Sequence, residues 1–341
     1  MTVFAKAAIY AAENFDLPDA VLRAGISAMV AKTAAQLVIL PNQNAAFVAA
    51  MAGLPVAMHT ADANAQHYEL PPAFFAHVLG RQLKYSSCFY PQGTETLDAA
   101  EQIALAATCA MADLADGQTI LELGCGWGSL SLFMAAQYPN AKITAVSNSQ
   151  GQRGFIEAQA AARGLQNLVV ITADMNSFAP AAMFDRVVSV EMFEHMANWR
   201  DLLARVRSWL HHDGRLFMHV FSHTTTPYRF NPDRTDWIGQ YFFTGGLMPS
   251  HRMIDQFANM FTLEAEKIWP GTHYQRTALQ WLENFDRNQA VIMPLLRETY
   301  GAQAGVWRRR WRLFFLAVAG LFGYDHGKIW QVSQYRLGPA S

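Results

Sequence analysis

The sequence predicts an α/β fold: an open, doubly wound, Rossmann-like sheet of seven strands, preceded by a helical segment and interrupted by an insertion after the fifth strand. Three observations carry that expectation. The run Thr119-Ile120-Leu121-Glu122-Leu123 is apolar enough for a buried strand. It empties into Gly124-Cys125-Gly126-Trp127-Gly128, after which residues 129–136 have helical character. From Gln118 onward, short apolar runs alternate with helical stretches, the pattern of a parallel sheet with helices on its faces. Polar residues gather at the C-terminal ends of those runs, the edge where open α/β sheets bind ligands.

Taken in order, residues 1–80 are alanine-rich and broken at Pro18, Pro41 and Pro55. Val21, Leu22, Ile26, Met29 and Val30 recur at helical spacing, which predicts a helix over 19–34. This segment reads as a helical N-terminal cap ending in a polar-aromatic cluster, Asn64, Gln66, His67 and Tyr68. Residues 83–90 (LKYSSCFY) are too aromatic for an ordinary linker and suit either a ligand cover or core packing. A helix is expected over 96–115, then strands at 119–123, 142–146, 168–172, 184–190 and 215–220. Residues 81–341 form the expected main domain. It carries a lid insertion at about 222–260, where Tyr228, Phe230, Trp237, Tyr241, Phe242 and Phe243 are too many aromatics for a disordered linker. A sixth strand is expected at 262–269. A helical excursion at about 277–323, with Pro294 and Gly301 as breaks, precedes a final strand at 328–337.

Composition bounds the function. Twenty-six basic residues against 27 acidic ones leave a net charge of −1, which gives no footprint for nucleic acid. Cys88, Cys109 and Cys125 have no C-x-x-C spacing, so neither a zinc site nor a disulfide framework is expected, and no metal is assigned. Free thiols and the lack of a secretory leader pattern point to a cytoplasmic enzyme. The apolar run 313–322 is shorter than the ~20 residues of a membrane-spanning helix. The oligomeric state stays open, a homodimer being compatible with all of this.

The glycine spacing is G-x-G-x-G rather than the G-x-G-x-x-G of dinucleotide binders, and Glu122 stands two residues before the first glycine. This points to S-adenosylmethionine (SAM) ahead of NAD. Gly124 and Gly126 would let backbone approach the ligand closely. At the end of the second strand, where a carboxylate commonly binds ribose hydroxyls, the sequence offers Asn148 and, one turn on, Gln152; their amides can donate or accept. Asp174, after the third strand, fits an acceptor for an adenine amino group and equally a helix N-cap.

Several stretches together resemble the plant coclaurine N-methyltransferase family, within the larger cyclopropane fatty acid synthase and mycolic acid methyltransferase superfamily. They are ANAQHYELP from Ala63, LKYSSCFY from Leu83, Ile120 to Gly128, Ala145-Val146-Ser147-Asn148-Ser149, Val190-Glu191-Met192-Phe193-Glu194-His195-Met196 and Phe322-Gly323-Tyr324. The resemblance implies a seven-stranded SAM methyltransferase sheet. It implies Tyr85 and Ser86 on the methionine part of SAM, Asn148 and Gln152 on the ribose, Asp174 and Met175 beside the adenine, and Val190 lining the pocket. Glu191, Glu194 and His195 match the acids and histidine that face the substrate amine in benzylisoquinoline N-methyltransferases. Glu194, His219 and Tyr274 match three residues that hold a bicarbonate base in cyclopropane synthases, whereas Ser87 stands where those enzymes carry a cysteine.

Two functions are therefore expected. The first is SAM-dependent N-methylation of a small amine, with Glu194 and His195 assisting its deprotonation and Trp237, Tyr241 and Phe242 holding it by stacking or cation–π contact. The alternative is methylation or cyclopropanation of an unsaturated phospholipid acyl chain, with bicarbonate on Glu194, His219 and Tyr274. The cluster Arg308-Arg309-Arg310-Trp311-Arg312 beside the run 313–322 reads as a peripheral membrane contact under that alternative, and otherwise as a helix face packed on the core.

Overall fold

The computed structural model describes residues 3–58, 70–230 and 236–340. The cluster Asn64, Gln66, His67 and Tyr68 lies outside the described residues. Seven strands form one sheet: β1 (Thr119–Leu123), β2 (Lys142–Ser147), β3 (Leu168–Thr172), β4 (Phe184–Val190), β5 (Leu210–His223), β6 (Phe261–Pro270) and β7 (Trp330–Pro339). Their order is β3-β2-β1-β4-β5-β7-β6. The first five run parallel, and β7 runs antiparallel between β5 and β6. Ile120, Leu121 and Leu123 of β1 are fully buried, as a strand covered on both faces requires.

The helices of the N-terminal segment are α1 (Val3–Asn14), α2 (Asp19–Gln36), α3 (Gln43–Ala49) and α4 (Pro72–Val78). Those of the doubly wound part are α5 (Leu97–Met111), α6 (Ser129–Gln137), α7 (Gln150–Ala162) and α8 (Trp199–Trp209). The insertion carries the short α9 (Trp237–Tyr241). The excursion before β7 is α10 (Gly271–Arg287), α11 (Gln289–Tyr300) and α12 (Ala304–Gly323).

Two expectations change. β5 is longer than 215–220 at both ends: the exposed residues His211, His212 and Asp213 ride in a bulge where the register against β4 shifts. At its other end β5 continues through His223 because Trp330, Gln331 and Val332 of β7 pair with it. Pro294 does not break the excursion. It sits inside α11 near that helix's start, where its missing N–H and its ring disturb only the first turns. Gly301, at φ +54, does end the helix.

Phe242 is fully buried against α12, stacked on Phe314 at 4.4 Å. The basic cluster faces the N-terminal helices. Arg308 pairs with Asp16, Arg310 with Glu13 at 2.9 Å, and Arg312 with Asp19 at 2.6 Å and Asp286 at 2.8 Å. The Arg310 guanidinium also lies 3.9 Å from the ring of Tyr241. These arginines fasten α1 and α2 to α12, so the charges that an anionic lipid surface would attract are already paired. Among the described residues no helix is long and apolar enough to cross a membrane.

Candidate active site

The glycine turn after β1 is built by backbone that only glycine adopts freely. Gly124 has φ +79, and a Cβ there would stand 2.5 Å from Met192 Cγ; Gly126 has φ +52. The Gly124 and Cys125 N–H groups both donate to the Val146 carbonyl at 3.0 Å, which locks the turn to β2.

A cavity runs over the ends of β1 to β4. One lobe is lined by Gly124, Gly126, Asn148, Gln152, Asp174 and Met175, with Ala57 and Met58 of the N-terminal segment across from them. The other is lined by Tyr85, Ser86, Thr108, Glu122, Trp127, Ser129 and Val190. Gln152 uses its Oε1 to accept from Ser147 Oγ at 2.6 Å, and its Nε2 is buried without a partner. Thr108 Oγ1, Trp127 Nε1 and Ser129 Oγ are likewise buried and unpartnered. Buried donors are normally satisfied. Four such atoms on residues around one cavity suit a ligand carrying hydroxyls and a charged amino-acid end. Asp174 lines the cavity, and its Oδ1 accepts from Asn176 N at 2.8 Å within a turn; no helix begins there, so the N-cap expectation is not met.

Three polar residues here were not singled out from the sequence as site residues. Glu122 on β1 is buried, accepts a hydrogen bond from Ser131 Oγ, and is pushed up to about 7 by burial. Glu101 on α5 is fully buried and accepts from the N–H groups of Gly80, Gln82 and Lys84 at 3.0, 2.7 and 3.1 Å. It thereby fixes the loop carrying Tyr85 and Ser86. Lys84 is buried too, its Nζ donating to Ser86 Oγ and to the Ser87 carbonyl, both at 2.6 Å. The signal for Glu101 was available: it occupies an apolar stripe with Leu97, Ala104 and Leu105.

Glu191 is the hub. It follows β4 with φ +48, in the left-handed region that non-glycine residues rarely enter, and its side chain is 7% exposed. Its N–H donates to the His219 carbonyl at 2.8 Å. Its carboxylate accepts from Ser87 N at 2.9 Å and Tyr274 Oη at 2.7 Å, and faces His219 Nε2 at 3.3 Å. His219 lies opposite Gln334 in the β5–β7 register. With Gln334 Nε2 donating to His219 Nδ1 at 3.1 Å, the ring proton falls on Nε2 and points at Glu191. Burial alone would raise the Glu191 carboxyl. The His219 hydrogen bond, the nearby Lys84 ammonium and the Ser87 N–H together hold it below its ordinary value. Burial lowers His219 and raises Tyr274, so both stay neutral.

Glu194 behaves oppositely. It is fully buried, its Oε1 accepts from Phe221 N at 2.6 Å, and its Oε2 has no partner. Burial, and then the Glu191 charge, push it well above the usual carboxyl range, opposite in direction to Glu191. His195, in the turn after β4, packs on Phe243 with ring centroids 4.3 Å apart.

The structure therefore regroups the expected constellations. His219 and Tyr274 come together, but around Glu191 and not Glu194. A bicarbonate does not fit this arrangement, because both of its expected donors are taken by a carboxylate of the chain itself. Beyond Glu191 and His195 a second cavity opens, lined by Tyr85, Phe230, Phe243, Tyr274, Trp281 and Phe322. Its aromatics are not the expected Trp237, Tyr241 and Phe242, which face α12 or α1 because α9 turns that side inward.

The strand order with its reversed β7, the glycine turn after β1 and the polar cavity over β1 to β4 define a SAM-dependent methyltransferase of the Rossmann-like class. The model of the mycolic acid cyclopropane synthetase family matches residues 57–332, and the chain belongs to that family. It is 36% identical over 274 residues to (S)-coclaurine N-methyltransferase of Thalictrum flavum subsp. glaucum, covering 79% of this chain and 76% of that one. It is 29% identical over 271 residues to the cyclopropane-fatty-acyl-phospholipid synthase of Escherichia coli strain K12, covering 78% of this chain and 66% of that one. The crystal structure of a coclaurine N-methyltransferase bound to N-methylheliamine and SAH (S-adenosylhomocysteine) superposes with a TM-score of 0.93 at 29% identity, covering 99% of this chain and 100% of that one.

Proposed function

We propose that this methyltransferase transfers the methyl group of SAM to the nitrogen of a small amine, with Glu191 and His195 at the point of transfer. The observation that carries the reading is shared lining: Glu191 and His195 both border the polar cavity over the sheet and the aromatic cavity beyond it. An acceptor in the second cavity thus meets a donor in the first beside these two side chains. The N-methyltransferase names of the relatives support the same reaction.

SAM supplies a sulfonium methyl; the amine lone pair forms the new C–N bond as the C–S bond breaks, and S-adenosylhomocysteine leaves. The chain's residues prepare the amine. An alkylammonium has no lone pair, so it must lose a proton first, and His195 at the cavity junction takes that role. The Glu191 carboxylate, kept anionic by its donors, stabilises positive charge as it builds on nitrogen. Glu194 lines neither of these two cavities and is turned to Phe221 N, so it is not the base. Tyr85, Ser86, Gly124, Gly126 and Val190 form the methionine side of the cofactor site. Gln152 and Asn148 serve the ribose, and Asp174 and Met175 the adenine. Residues 1–80 act as a cap on the catalytic domain of residues 81–341, and the three buried free cysteines suit a cytoplasmic setting.

The test is release of S-adenosylhomocysteine from purified enzyme and SAM, with a panel of secondary and tertiary amines in one arm and unsaturated phospholipid vesicles in the other. Turnover with amines alone is expected. Turnover with vesicles alone would overturn the reading.

A further inference from the structure

We propose that the groove between α2 and α12 receives a hydrocarbon tail on the amine, so that the preferred acceptor is a tailed, amphipathic amine. The inference rests on the N-methylation reading and extends it to substrate class. Phe230, Ile238 and Leu321 line both the aromatic cavity and this groove, so one layer of side chains separates the two spaces. The rest of the groove is apolar, including Leu17, Val21, Ile26, Met29, Leu313 and Ala317. Val21 and Met29 are 55% and 45% exposed, on a helix face turned toward a neighbouring helix. The acid in the wall, Asp236, caps α9 through Gly239 N at 2.9 Å.

Polarity fixes the direction of such a ligand. Its nitrogen belongs at Glu191 and His195, and its tail leads outward past Phe230, Ile238 and Leu321. The groove is also pre-formed. The Arg312–Asp19 pair at 2.6 Å and the close packing of Ile26 on Gly320 set the spacing of α2 and α12. Its α1–α2 wall precedes residues 57–332, the part matched by the family, so it is not a property of the common catalytic core.

Gly25 gives the means of testing this. It lies in α2 on the groove, and a Cβ built there meets nothing within 4 Å, so position 25 accepts a side chain and Gly25→Trp is the variant chosen to obstruct the groove. Straight-chain N-methylalkylamines with tails of two to ten carbons serve as substrates. Alkyltrimethylammonium ions of the same lengths, which cannot accept a methyl group, serve as calorimetric ligands with S-adenosylhomocysteine present. In the wild type, kcat/KM and affinity are expected to rise roughly fourfold per added carbon until the groove is filled. Gly25→Trp is expected to cut the long-to-short ratio at least tenfold, while Gly25→Ala, which only supports the helix, keeps it. A flat length dependence, or one that Gly25→Trp leaves intact, overturns the groove inference. If no amine is methylated but the ammonium ions still bind with a length dependence that Gly25→Trp removes, the groove stands and the N-methylation reading falls.

Discussion

Glu191 and Glu194 stand three residues apart, and the structure shifts their carboxyls in opposite directions and aims them at different partners, which predicts unequal consequences for one and the same substitution. Glu191→Gln keeps the shape of the hub and the acceptor for Ser87 N and His219 Nε2 but removes the negative charge. A unit charge about 5 to 6 Å from the reacting nitrogen, at an effective dielectric of ~20, is worth about 3 kcal/mol. At 1.4 kcal/mol per factor of ten, that is a fall in kcat/KM on the order of a hundredfold. Glu194→Gln replaces a carboxyl that burial already pushes toward its neutral form, and its Oε1 still accepts from Phe221 N; the expected change is within about threefold. The assay is S-adenosylhomocysteine release at saturating SAM, with SAM affinity measured separately by calorimetry to exclude a cofactor effect. Equal losses in the two variants would refute the assignment. A larger loss for Glu194→Gln would return the base to the Glu194–His195 pair.

Tyr274→Phe removes the 2.7 Å hydrogen bond to the charged form of Glu191, so the carboxyl rises. The Glu191 carboxyl followed by carbon-13 NMR is expected to titrate about one unit higher than in the wild type, and an unmoved titration would disconnect Tyr274 from it. Glu122 has its folded-state value raised from 4.5 to about 7, so its proton is held more tightly in the folded chain. That contribution is complete below pH 4.5 and disappears as pH rises through 7. In the cofactor-free enzyme, Glu122→Gln should therefore gain up to about 3 kcal/mol over wild type at pH 8 and little at pH 5. Urea unfolding at the two pH values is the check, and a gain independent of pH contradicts the linkage. Arg312→Ala breaks the pairs with Asp19 and Asp286 and should cost about 1 kcal/mol of stability. Because those charges are spent inside the molecule, sedimentation with anionic vesicles should be the same for wild type and variant, and a selective loss of vesicle binding would restore the membrane reading.

Much of the fold was legible because strand and helix boundaries coincide with breaks in local pattern. β1, β3 and β4 fall where their apolar runs do, and the glycine turn marks the cofactor edge. The ends of β5 were not legible: His211 to Gly214 have the composition of a turn, and only pairing with β4 on either side of them, Leu210 with Phe184 and Arg215 with Arg186, carries the strand across, while β7 extends the other end to His223. The acids after β4 show a different limit. Glu194 and His195 are adjacent in sequence, which suggests joint action, but the turn points Glu194 into the core at Phe221 N. The left-handed backbone at Glu191 brings that carboxylate to Ser87, Tyr274 and His219, from three distant parts of the chain. Lys84 escaped notice for a related reason: in sequence it reads as a solvated loop charge, and only the fold buries it with Ser86 and the Ser87 carbonyl as its acceptors.

The position of β7 has a consequence for how the molecule comes into being. β6 has no neighbour in the sheet except β7, and β5 needs β7 on its outer edge. Between β6 and β7 the chain runs through α10, α11 and α12, roughly sixty residues, or about 3 to 12 s of synthesis at ordinary ribosomal rates. During that interval the outer edge of β5 is open, although β5 carries an almost entirely buried row from Gly214 to His223. β7 covers that edge, brings β6 into the sheet and delivers Gln334 to His219. Covering β5 and orienting the imidazole beside Glu191 are therefore one event.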